Sequence, residues 1–154
     1  MSEHRAKIEW RSRGEDIRSG RYSREHTWAF DGGAVVPASP SPSVVKAPYS
    51  NPACVDPEEA FVASIASCHM LTYLYLASKA GFEVLSYADD AVGTMSKNER
   101  GVPWVSAVEL RPIVEFGAER PTPEQDAELH HRAHLECFIS SSVRTEIRCV
   151  PTRT

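Results

Sequence analysis

The sequence predicts an α+β fold, and three observations carry that prediction. Two segments have helical character and each opens on a capping signature. Most of the other patterned segments alternate with the period of a strand. Strands and helices also come in runs, without the regular strand–helix alternation of a parallel sheet.

In chain order, KIEWRSR (7–13) alternates apolar and polar residues and predicts a first strand. REHTWAFDGGAVV (24–36) puts His26, Trp28 and Phe30 on one face and follows them with Asp31-Gly32-Gly33, residues that tolerate positive φ, so it predicts a β-hairpin. The next stretch carries Pro37, Pro40, Pro42, Pro48, Pro52 and Pro57 and predicts a long irregular loop, a feature more often functional than decorative in a compact domain. At Asp56 the pattern changes to a helix start. Asp56 is the N-cap, Pro57 the first helical residue and Glu59 the reciprocal partner. The run from Ala60 to Ala77 is apolar nearly all round, which predicts a central helix buried on most sides and stopped by Gly81. Residues 82–97 and 103–118 predict further strands, two or three in all, with NERG turning between them. Thr122-Pro123-Glu124-Gln125 opens a second helix running to about Cys137 or Phe138, and VRTEIRCV (143–150) closes with Val143, Thr145, Ile147 and Cys149 on one face. No internal repeat or boundary interrupts this order, so residues 1–154 read as one domain.

Composition narrows the function. With 17 basic and 21 acidic residues mixed along the chain, the formal charge of -4 gives no footprint for nucleic acid or an anionic membrane. The N-terminus has no apolar stretch behind its charges, and Ser64, Ser67, His69 and Thr72 interrupt the longest apolar run, so a cytoplasmic chain with no membrane span is expected. Cys54, Cys68, Cys137 and Cys149 lack CxxC spacing and are too few for a secreted disulfide scaffold. In a reducing compartment, a functional pair among them would be redox-active or metal-binding.

Cys68, inside DPEEAFVASIASCHMLTYLYLA, admits two readings: a small apolar filler, or a thiol placed to react. Cys137, where the second helix turns into FISSSV, admits the same two. Reactivity requires a positive group, because apolar burial raises a thiol's pKa and a helix dipole fades within the first turn. Arg24, with Arg21 as the alternative, sits where a loop enters a strand and is the candidate guanidinium. Glu58 is either an ordinary first-turn carboxylate or a partner of the thiol. It lies about 15 Å along the helix axis from Cys68 and about 80° away in azimuth, so only a second subunit could bring it to the thiol. HHRAHLEC offers His130, His134 and Cys137 at i, i+4 and i+7, a spacing at which zinc could take all three with Cys68 or Cys149.

Two of these segments resemble the OsmC/Ohr superfamily, the osmotically inducible protein C and organic hydroperoxide resistance proteins. DPEEAFVASIASC is similar to the family's Pro-Glu-rich helix start, with a cysteine ten residues after the first Glu, and AHLECFISSSV is similar to its second-cysteine segment. The resemblance implies an OsmC-like fold with antiparallel sheets around the long buried helix, in an intertwined homodimer with its sites at the subunit interface. It also implies a thiol-dependent peroxidase that reduces organic hydroperoxides. Cys68 would be the peroxidatic cysteine, Cys137 the resolving cysteine joined to it by an intramolecular disulfide, and Glu58 the acidic residue of the site. No cofactor or metal is expected, only an external dithiol reductant such as a lipoyl or thioredoxin-like protein. The chain departs from the family pattern before the helix, where VVKAPYSNPAC has Lys46 and no arginine; Arg24 is therefore assigned the guanidinium role. Phe61, Ile65, Trp28 or Tyr49 would supply an apolar pocket for bulky peroxides. The rival readings are a redox-inactive OsmC-like protein that binds a small hydrophobic ligand, and a His/Cys metal-binding module.

Overall fold

The computed structural model describes residues 2–152. Its elements follow the predicted α+β order, and the chain divides into two compact units at Ala60/Phe61.

The first unit holds β1 (Ala6–Glu9), β2 (His26–Phe30) and β3 (Val35–Ala38) in one antiparallel sheet of order β1-β2-β3. Ile8 faces Trp28 across one pair, and Trp28 faces Val36 across the other. The hairpin turn closes with Gly33 at φ 87°, its N–H donating to Phe30 O. The proline-rich segment then runs without a strand or helix of its own. Val55 bridges Ala38, and the Ser39 hydroxyl accepts the Asn51 N–H at 2.8 Å. The later part of the loop is thereby tied back to the end of β3.

Helix α1 (Pro57–Lys79) begins with the expected reciprocal cap. Asp56 Oδ1 accepts the Glu59 N–H at 2.8 Å, and Glu59 Oε2 accepts the Asp56 N–H at 3.1 Å. It ends in a Schellman turn, with Phe82 N–H on Ala77 O, Gly81 N–H on Ser78 O and Gly81 at φ 88°.

In the second unit each long strand segment splits in two. These are β4 (Val84–Asp89) and β5 (Val92–Lys97), then β6 (Pro103–Leu110) and β7 (Pro112–Phe116). β4 pairs with β7 and β5 with β6, so the segments form one long hairpin broken midway into two sheets. The break has a local cause: Pro112 lacks an N–H, and the Arg111 N–H is taken by Asp89 Oδ1 at 2.7 Å. Helix α2 (Pro123–Glu136) opens on a full capping box between Thr122 and Gln125. The last strand, β8 (Glu146–Cys149), is shorter than the alternation predicts and joins β6 in parallel, so the sheets are not purely antiparallel.

Two apolar clusters hold this unit. Tyr73, Leu76 and Ala77 of α1 pack on Leu129 and Ala133 of α2 and on Phe82, Val84, Val114 and Phe116. Nearer the start of α1, Ile65 packs on Val108 and Leu110 of β6. Among the described residues α1 is long and apolar enough, by length and composition, to cross a bilayer, and both clusters pack along it as they would along a core helix. Burial on most sides is not seen within the single chain. Ile65, His69, Tyr73, Leu76 and Ala77 are buried, whereas Leu71 and Tyr75 remain 61% and 59% exposed. An apolar stripe at positions 71 and 75 stays exposed.

Candidate functional site

The exposed side of α1 carries Ser64, Cys68, Leu71, Thr72 and Tyr75, which recur at three- and four-residue steps and therefore share a face. With Glu136 and Phe138 from the end of α2, they line an open, mainly apolar groove. Cys68 is half-buried at its floor. Cys137, fully buried, meets it from the other element. Cys137 can do so because it leaves the helix: its ψ of 122° is extended, and the N–H of Ser140 turns back onto its Sγ at 3.4 Å.

The two thiols interact, and each shifts the other's acidity. Burial first, then the bond to Cys137, pushes the Cys68 thiol up, against the backbone amides of Ile139 and Phe138. Burial is also the largest single influence on Cys137 and works upward. The hydrogen bonds from Cys68, Ser140 and Ile139 together outweigh it, and the Cys137 thiol lies below its ordinary value. Within one chain the two thiols therefore share their first ionisation. Access separates the two chemically, since a ligand in the groove meets Cys68 first.

The other expected residues fall differently. Arg24 lies in the first unit with its guanidinium 4.1 Å above the Tyr22 ring, donating to Tyr22 O and Gly20 O. Among the described residues it forms no ion pair, whereas Arg21 is exposed and paired with Asp16 at 3.6 Å. Glu58 is half-buried in the first turn of α1 and likewise forms no ion pair among the described residues. Ile65 does not line the groove: it is 0% exposed in the β6 cluster, where Phe61 also packs, because both lie on the inward side of α1. Trp28 donates to His26 Nε2 at 2.9 Å within the first sheet.

The anticipated grouping of His130, His134 and Cys137 does not form, because Cys137 turns toward Cys68. Instead His130 meets His69 of α1 and Cys149 of β8. His69 Nε2 and His130 Nδ1 are 3.1 Å apart, and Cys149 Sγ is 3.7 Å from the first and 3.6 Å from the second. Burial, with smaller contributions from His130 and His134, pushes His69 down to about 4, and burial also lowers His130 against the pull of Asp126. Burial, then Asp89 and Asp126, pushes the Cys149 thiol up to about 12. The sequence signal for this grouping was weak but present: His69 interrupts an apolar helix, and Cys149 sits at the inward phase of its strand.

A helix-borne thiol interacting with a second thiol just past another helix, on an α+β scaffold, is the class that fold and site define. A family model described as OsmC-like protein matches residues 50–151, and the chain belongs to that family. It is similar over 99% of its length, and 100% of the other chain, to an OsmC-like protein of unknown function from Vibrio cholerae, at 49% identity and a TM-score of 0.96. An organic hydroperoxide resistance protein from Elizabethkingia anophelis shares the fold at 18% identity and a TM-score of 0.72, covering 100% of this chain and 96% of that one. One from Bacillus subtilis does so at 18% identity and a TM-score of 0.60, covering 97% and 98%. No curated protein matches the chain.

Proposed function

We propose that the protein is a thiol peroxidase that reduces organic hydroperoxides to alcohols in the cytoplasm. The observation that carries this reading is Cys68 lining an apolar groove with the buried Cys137 thiol interacting with it from behind. The Cys68 thiolate attacks one peroxide oxygen and the O–O bond breaks. The alkoxide leaves with a proton as alcohol, and Cys68 becomes a sulfenic acid. The Cys137 thiol displaces water from that sulfenic acid to form the disulfide, and an external dithiol then reduces the disulfide by exchange, becoming oxidised itself. No other cofactor enters the cycle.

Attack requires the Cys68 thiolate, and burial raises this thiol, so a positive field must favour its ionisation. Arg24 is the proposed source of that field. Among the described residues its guanidinium forms no ion pair, and brought to Cys68 it would favour the thiolate and hydrogen-bond the polarising peroxide. Glu58 is the proposed carboxylate that fixes the guanidinium. Along a single helix it cannot reach the thiol, so the reading includes a homodimer in which the apolar stripe of Leu71 and Tyr75 is covered and Glu58 comes from the second copy. The surrounding Leu71, Tyr75 and Phe138 favour a bulky apolar peroxide over hydrogen peroxide.

Turnover with a small dithiol tests the reading. Cumene hydroperoxide should be consumed faster than hydrogen peroxide, and Cys68→Ser should abolish both reactions. Equal rates for the wild type and Cys68→Ser would end this assignment.

A further inference from the structure

The grouping of His69, His130 and Cys149 takes no part in the thiol chemistry above, and its geometry has a separate meaning. We propose that His69 Nε2, His130 Nδ1 and Cys149 Sγ form a three-ligand zinc site whose fourth position opens into the cleft between α2 and β8. The distances fit. Zinc bonds of about 2.0–2.1 Å to nitrogen and about 2.3 Å to sulfur set tetrahedral edges of about 3.3 Å between nitrogens and about 3.6 Å between nitrogen and sulfur. The three separations are 3.1, 3.7 and 3.6 Å.

The surroundings supply what such a site needs. Two imidazoles and a thiol are a borderline-soft donor set, suited to zinc and not to magnesium or calcium. His130 presents its outer nitrogen, Nε2, to Asp126 Oδ1 at 3.7 Å, and the Tyr73 hydroxyl donates to that same oxygen at 2.6 Å. A carboxylate behind a ligating histidine sets the tautomer and the ring orientation. Among the described residues His69 Nδ1 is buried without a hydrogen-bond partner, and His130 Nε2 stands just beyond hydrogen-bond reach of Asp126. The rings lie 6° from coplanar with centroids 5.4 Å apart, so in the metal-free chain the inner nitrogens face one another across a shared proton. Zinc takes that proton's place once the rings turn toward a common point. The His69 proton then sits on Nδ1, and Cys149 gives its proton to solvent as the Zn–S bond forms. Entry is available, because His130 and Cys149 line a cleft with Ile147, His131 and His134.

The test uses the full chain carrying Cys68→Ser and Cys137→Ser, so that the thiol pair cannot bind metal. Titrated with Zn²⁺ against a chromogenic chelator, it should bind one equivalent. With Co²⁺ it should show tetrahedral d–d bands and a thiolate charge-transfer band. Adding Cys149→Ser should remove that band, and Asp126→Asn should weaken binding by about 10–100-fold while the circular dichroism stays unchanged. Should Cys149→Ser prove unfolded, X-ray absorption at the zinc edge of the parent variant decides the matter, one sulfur with two imidazole nitrogens being the expected shell. A cobalt spectrum lacking thiolate character, or a zinc shell without sulfur, overturns the site.

Discussion

Tyr73→Phe removes one hydroxyl and leaves the ring in place. Tyr73 is fully buried on α1, with its ring 4.2 Å from that of His130 and its hydroxyl donating to Asp126 Oδ1 at 2.6 Å. Phenylalanine keeps the ring contacts with His130 and Tyr87, so the loss is confined to the hydrogen bond. A hydrogen bond to a charged group contributes about 1.5–3 kcal/mol net. The Asp126 side chain keeps 20% of its exposure, which lets water replace part of the lost partner and places the expected cost near the middle of that range, at about 2 kcal/mol. For a chain of this length that is about 4–8 °C in Tm. Urea unfolding at pH 7 should show a lower midpoint with an unchanged slope, and Tyr75→Phe, altering a ring 59% exposed, should be close to neutral. A Tyr73→Phe stability within about 0.5 kcal/mol of wild type would refute the idea that this bond ties α1 to α2.

The remaining predictions bear on the thiol site and on packing. With Arg24 acting on Cys68 as proposed, Arg24→Met should raise the Cys68 pKa and cut the thiolate fraction at pH 7 by about 10- to 1000-fold. The pH profile of Cys68 alkylation measures this directly, and an unchanged profile removes Arg24 from the proposed site. Gly93→Ala should cost about 1–3 kcal/mol, because a Cβ there would lie 2.5 Å from Cγ2 of Val62. Val62→Ala in the same chain should recover part of that cost, and additive losses in denaturant midpoints would show that the two sites do not touch.

Much of the fold was legible because local chemistry marked the elements. The Asp56/Glu59 and Thr122/Gln125 caps, Gly81 and the Asp31-Gly32-Gly33 turn each do what their residue types dictate. The break in the long hairpin was harder to read. Pro112 marks it, but the Asp89 side chain that takes the Arg111 N–H is 22 residues away in sequence. The parallel pairing of β8 with β6 is likewise a long-range choice. For the site, α1 carries apolar residues nearly all round, so its periodicity could not say that Ile65 faces the core while Leu71 and Tyr75 do not. The i, i+4, i+7 spacing of His130, His134 and Cys137 assumed an unbroken helix. The extended backbone at Cys137 sends that sulfur to Cys68 and leaves His130 to His69 and Cys149.

The pairing of Cys68 with Cys137 is the claim on which the functional account rests. Its most direct test is to treat the fully reduced protein, which has four free cysteines, with one equivalent of cumene hydroperoxide, then count thiols after denaturation and map the products by mass spectrometry. The account predicts a fall from four thiols to two with a single Cys68–Cys137 disulfide, whereas Cys137→Ser should instead hold Cys68 as a sulfenic acid. Four thiols remaining, or a disulfide involving Cys54 or Cys149, would contradict it.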